Sequence, residues 1–132
     1  MKHAWFGVGV ACLVGSAVAC NPFAPDQSVV LAVEKIDAPA TSSVGSPLTV
    51  VLTVTIGMCE QFDHLEATST ASSASLTAWG LNPTIGNKDI GCIDVIKSEP
   101  HAYQFSPSAR GPFQISVDQG RLPPLTATVQ VQ

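Results

Sequence analysis

The sequence predicts an all-β domain, a sandwich of roughly seven or eight short antiparallel strands behind a cleavable N-terminal segment. Three observations carry this. Apolar and polar side chains alternate at period two from Ser28 to the C-terminus. Turn-forming residues interrupt that alternation roughly every 8–15 residues. No window of about eleven residues beyond position 27 shows an apolar stripe at helical spacing.

The N-terminal segment is set apart by composition. Thirteen of the first 19 residues are apolar, against 47 of the remaining 113, so the overall 45% hydrophobic content averages two unlike parts. Lys2 is followed by an uncharged run from Ala4 to Ala19, then small residues ending at Cys20, which is the three-part layout of a secretory signal. The run is 16 residues and holds Gly7, Gly9 and Gly15. It is shorter than the roughly 20 residues of a spanning helix, and cleavage is therefore expected over retention.

Ala17-Val18-Ala19-Cys20 resembles the lipobox of bacterial lipoproteins, with small residues directly before the cysteine and Ala17 where that family prefers Leu. The resemblance implies that Cys20 becomes the first mature residue and carries the lipid. Ala-Val-Ala also satisfies an ordinary A-x-A cleavage site, so plain secretion stands as the alternative. Cysteine arithmetic favours the lipoprotein. Cleavage before Cys20 leaves Cys20, Cys59 and Cys92, an odd number in an oxidising compartment. A lipid on Cys20 leaves Cys59 and Cys92 as a pair. By resemblance to enterobacterial lipoproteins, Asn21 permits sorting to an outer membrane where one exists, and the outer face of the plasma membrane is the other location.

Residues 20–27 are then the lipidated cysteine and a short tether. Pro22 and Pro25 make it extended, and the seven residues after Cys20 reach about 25 Å at most. The domain proper is 28–132. Its clearest strand is Leu48–Ile56, where Leu48, Val50, Leu52, Val54 and Ile56 share one face and Thr49, Val51, Thr53 and Thr55 the other. Shorter alternations run over Val29–Val33, Ala74–Ala78, Phe113–Val117 and Leu125–Val131. Weaker ones cover Phe62–Thr70, Ile90–Ile96 and His101–Phe105. Turns are expected at Ala38-Pro39, Gly45–Pro47, Gly80–Asn87, Glu99-Pro100, Gly111-Pro112 and Gly120–Pro124. Trp79, Phe62, Tyr103, Phe105 and Phe113 are expected in the core, because a small sandwich needs large side chains there.

The opening Ile36–Ala40 and Val44–Val50, with the closing Gly111–Val117 and Leu125–Val131, resemble the first strands and the terminal hairpin of bacterial immunoglobulin-like domains. The resemblance covers most of 28–132 and implies an immunoglobulin-like sandwich. Antibody-type domains flank a core Trp with two cysteines and place a Tyr two residues before the second. Here Cys59 and Cys92 flank Trp79, but Phe105 follows Tyr103. A Cys59–Cys92 disulfide is thus expected to staple the Gly57–Phe62 turn to a strand near Ile90. It closes a loop for which chain entropy gives about 3.8 kcal/mol as an upper figure.

Residues for chemistry are few. Five Lys and Arg stand against ten Asp and Glu beyond Lys2, which argues against nucleic acid or an anionic membrane surface as the main partner. His64 and Glu66 share a strand face, and with His101 or Asp94 they are weak metal candidates. Neither a Gly-x-Ser-x-Gly elbow nor a His-Glu-x-x-His pattern occurs, so no enzyme and no cofactor is expected. Asn82-Pro83-Thr84-Ile85-Gly86 resembles a loop of the chagasin-type cysteine protease inhibitors, and Arg110-Gly-Pro-Phe113 distantly resembles a second. The expected function is that of a non-catalytic envelope lipoprotein, tied to the membrane through Cys20, with an envelope protein or glycan as partner. Protease inhibition through 82–86 and metal binding are the alternatives.

Overall fold

The computed structural model describes residues 27–85, 91–92 and 95–132. Among them nine strands form two sheets: β1 (Ser28–Val30), β2 (Ala32–Asp37), β3 (Thr41–Ser42), β4 (Leu48–Ile56), β5 (Gln61–Ser69), β6 (Ser73–Leu81), β7 (Lys97–Phe105), β8 (Gly111–Gln119) and β9 (Leu122–Val131). The expected leader 1–19, the expected lipid site Cys20 and the expected tether before Gln27 lie outside the described residues. No helix among the described residues is long and apolar enough to cross a membrane.

One sheet runs β2-β4-β7, antiparallel throughout. The other holds β5, β6, β8, β9 and β3 in that order. β1 lies beside the C-terminal end of β6, on the side where β8 pairs its N-terminal end. Two pairings are parallel, β6–β8 and β3–β9, which corrects the all-antiparallel expectation. Parallel neighbours need a crossover. The stretch between β6 and β8 supplies it by sending β7 through the opposite sheet.

The alternation in β4 is realised in full, with Leu48, Val50, Leu52, Val54 and Ile56 all buried. They meet Ala74, Leu76 and Ala78 of β6, Phe113, Ile115 and Val117 of β8, and Val129 and Val131 of β9 in one core between the sheets. The hydrophobic pattern alone places these side chains. Each buries apolar area at about 25 cal/mol per Å².

The expected strand Val29–Val33 is divided, which explains part of the count of nine. Leu31 N donates to the Ala78 carbonyl of β6 at 2.8 Å, holding it to the larger sheet, while Ala32 already pairs with Thr55 of β4 in the three-stranded one. The register of β2 then slips between Val33 and Lys35, and the Gln119 side chain accepts from Val33 N at 2.8 Å, joining the two sheets. Glu99-Pro100 is not a turn but lies inside β7. This strand is a sheet edge, where a missing backbone donor is tolerated. Gly111-Pro112 likewise opens β8, before its register with β6 begins at Gln114. Of the expected strand Ile90–Ile96, Gly91, Cys92, Val95 and Ile96 are not in a strand, and Ile90 lies outside the described residues.

The hairpin β8–β9 turns on Gly120 and Arg121. Gly120 has φ +65°, suited to the first position of a two-residue turn, and its N–H is held by Asp118 Oδ1 at 2.9 Å.

Candidate functional site

Cys59 and Cys92 are disulfide-bonded, with Cα atoms 5.2 Å apart. The bridge staples the turn after β4, as the spacing predicts, but its far end is an exposed loop residue and not part of a strand. The turn is built locally. Glu60 N donates to the Gly57 carbonyl, and the Glu60 carboxylate accepts from Gly57 N at 3.0 Å. Cys59 adopts φ +64°, a left-handed conformation that non-glycine residues adopt at some cost. Around the bridge is a cleft of about 540 Å³, lined among others by Glu60, Pro83, Val95 and Lys97.

Asn82, Pro83 and Thr84 form a tight turn at the same place. The Asn82 side-chain oxygen accepts from Thr84 N at 3.0 Å and from the Thr84 hydroxyl, and Ile85 N reaches the Asn82 carbonyl at 3.2 Å. This is the local bonding that favours Asn at a turn. Gly86 lies outside the described residues. Arg110 directly precedes β8 and Gly111 begins it; the strand runs parallel to β6, so they sit at the opposite end of the sandwich from Asn82, which follows β6. The two loops that resemble the inhibitor family are not presented on one edge.

His64 and Glu66 do share the outer face of β5, yet each is engaged separately. His64 Nδ1 meets Asp63 Oδ2 at 2.7 Å, and Glu66 Oε2 accepts from the Trp79 indole at 2.9 Å. His101 is in the other sheet, stacked on Phe62 and bonded to Glu99 at 3.1 Å. Asp94 lies outside the described residues. Three convergent metal donors are not assembled by any described residues.

The core expectation for the aromatics is corrected in part. Phe105 and Phe113 are buried, and Phe62 and Tyr103 pack partly buried against the core. Trp79 is on the outer face, because Ala74, Leu76 and Ala78 point inward and the next residue must point out. Its register partner is His64.

Two arrangements escaped the sequence reading. The first is a shallow groove of about 310 Å³ across the outer face of β5, β6 and β8, where Thr68, Ser75, Gln114 and Ser116 supply hydroxyl and amide groups. Strands β5, β6, β8 and β9 contain no Lys or Arg, so this face is neutral to acidic. The second is a chain along β7, in which Glu99 joins Lys97 at 2.8 Å and His101 at 3.1 Å. The hydrogen bond from Lys97, and then that from His101, holds the Glu99 carboxyl below its ordinary range. Period-two counting carried through the weak strand at 101–105 is the signal for the second, since 97, 99 and 101 share a face. The groove depends on the β6–β8 pairing and has no local signal.

Fold and site together define an all-β protein of two packed sheets, with one disulfide-bound loop end and one polar sheet face. Comparison with protein-family models, curated proteins and solved structures gave no significant match.

Proposed function

We propose that the chain is a bacterial cell-envelope lipoprotein, cut before Cys20 and lipidated there, that displays a non-catalytic interaction module. The single observation that carries this is the Cys59–Cys92 bond. Cys12 falls in the proposed leader, so with Cys59 and Cys92 joined Cys20 is the odd cysteine by count in the mature chain, placed directly after Ala-Val-Ala. A lipid thioether disposes of the odd thiol in an oxidising compartment.

The module is read as an immunoglobulin-like variant. Its support is the division of strands, with β2, β4 and β7 in one sheet and the β8–β9 hairpin in the other, as in the ABE and FG strands of that fold. The parallel β6–β8 pair is a departure from it. The partner surface in this reading is the outer face of β5, β6 and β8, where Trp79, Glu66 and the hydroxyl groove offer stacking and hydrogen bonding to an uncharged glycan or a polar protein surface. Protease inhibition through Asn82, Pro83, Thr84 and Gly86 has less support, since the second loop of that resemblance is at the far end. Metal binding at His64 and Glu66 has less as well.

Growth with an alkyne-bearing fatty acid tests the anchoring. The full-length protein should acquire the label, and the Cys20→Ala variant should not. Labelling that persists in that variant would overturn the reading. Affinity capture from the native envelope, with Trp79→Ala as the comparison, tests the interaction face.

A further inference from the structure

The two ends of the sandwich differ in composition. The chain enters at the end where Gln27 accepts a hydrogen bond from Asn82 N at 2.8 Å and Ser28 pairs with Leu81. The Gly57–Glu60 turn, the turn at Asn82, the disulfide-bound loop and the β8–β9 hairpin all lie at that end, since β4 and β6 finish there, β5 and β7 start there, and β8 runs parallel to β6.

Six large apolar side chains are exposed among the described residues, and five of them are here: Met58, Ile85, Val95, Ile96 and Leu122. Ile96 is 70% exposed and Val95 55%. The far end presents Ser43–Pro47, Thr70–Ser72 and Ser106–Arg110, which are small or polar apart from Val44.

We propose that this apolar end docks on the lipid bilayer to which Cys20 ties the chain, with Met58, Ile85, Val95, Ile96 and Leu122 entering the boundary between headgroups and acyl chains. The inference rests on the lipid-anchor reading above. The length and endpoint of the tether select the bilayer as occupant. Seven residues hold Gln27 within about 25 Å of the lipidated cysteine, and the apolar side chains lie at the same end of the sandwich as Gln27. Tethering raises the local concentration of the surface to the millimolar range, so contacts too weak to bind free protein are occupied. Among the described residues Lys97 and Arg121 stand at this end against Glu60 and Asp118, so no basic excess is built there and the attraction proposed is apolar.

The test couples the chain 20–132 through the free Cys20 thiol to a maleimide lipid in a phosphatidylcholine nanodisc. The nine strands and the core found among the described residues fall within 28–131, so the chain 20–132 keeps them all. Coupling by maleimide makes the result independent of acylation in cells, which the mass of the cellular protein reports separately. Methyl signals are recorded with and without lipid spin-labelled near the headgroups. The signals of Met58, Ile85 and Ile96 should weaken at least about twofold more than that of Val44 at the far end. A variant with Met58→Glu and Ile96→Glu should stay coupled and folded while the differential loss at Ile85 disappears. Equal broadening at both ends would overturn the proposal. So would shifts at Met58 and Ile96 that appear in lipid-free protein as its concentration rises, which would assign the patch to contact between copies.

Discussion

Phe62 and His101 stack face to face, with ring centroids 3.5 Å apart and planes 14° from parallel, across the side of the sandwich where edge strand β5 faces edge strand β7. His101 occupies an inward register position opposite Leu52, where an apolar residue is the usual choice. Glu99 holds its Nε2 while the ring face lies on Phe62. The pair joins the two sheets at a side where, among the described residues, no strand bridges β5 and β7. Phe62→Ala should destabilise the domain by about 1–2 kcal/mol, less than a fully buried Phe because the ring is half-buried. A double-mutant cycle with His101→Ala, read by urea unfolding, should give a coupling of about 0.5–1.5 kcal/mol. Additive single effects would contradict the stacking.

Gly80 is buried where β6 passes beneath Leu31, and a Cβ there meets the Gln61 carbonyl oxygen and a Leu31 methyl, each at 2.7 Å. Backbone must move to admit it. Gly80→Ala should cost about 1–3 kcal/mol. Gly91→Ala, where a Cβ meets nothing within 4 Å, should leave the urea midpoint nearly unchanged. Equal effects of the two substitutions would refute the close approach.

Reduction of Cys59–Cys92 releases the Gly57–Glu60 turn from the loop residue Cys92. The chain-entropy figure of about 3.8 kcal/mol is an upper value, and a fall in melting temperature of about 10 °C or more is expected. An unchanged melt with both thiols shown to be free would rule out a structural role for the bridge.

Glu34 accepts from Ser98 Oγ at 2.7 Å and from Thr55 Oγ1 at 3.0 Å, tying β2, β4 and β7 across their outer face. Those bonds, Ser98 first, hold its carboxyl below the ordinary range, as Lys97 and His101 do for Glu99. A lowered folded-state value means that the stabilisation is fully present above the ordinary Glu value of about 4.3. It is lost as pH falls through the lowered value. Glu34→Gln with Glu99→Gln should therefore flatten the loss of urea stability on acidification below that point. An acid limb of unchanged steepness would contradict this assignment.

The parts of the fold that local pattern controls were legible. Leu48–Ile56, Ala74–Ala78 and Phe113–Val117 all bury the face that period two selects, because each crosses a sheet with one side on the core. Trp79 was legible too by the same parity, and the expectation that it is core weighed residue size above position. Pro100 shows the limit of turn signals, since an edge strand accepts a proline that a central strand would not. The parallel β6–β8 pairing, and with it the hydroxyl groove, was not legible, because periodicity fixes which face is buried and says nothing about which strand lies alongside. The gathering of Met58, Val95 and Ile96 near the chain's entry needed the topology for the same reason.

The proposal has Cys20 as the lipid anchor of a chain in which Cys59 and Cys92 are joined. Intact mass of the protein extracted from membranes with detergent tests both together. The expected mass shows loss of residues 1–19, the addition of a diacylglyceryl group on Cys20, and a deficit of two hydrogens for the disulfide. A mature chain beginning at an unmodified Cys20, or one retaining the leader, would contradict it.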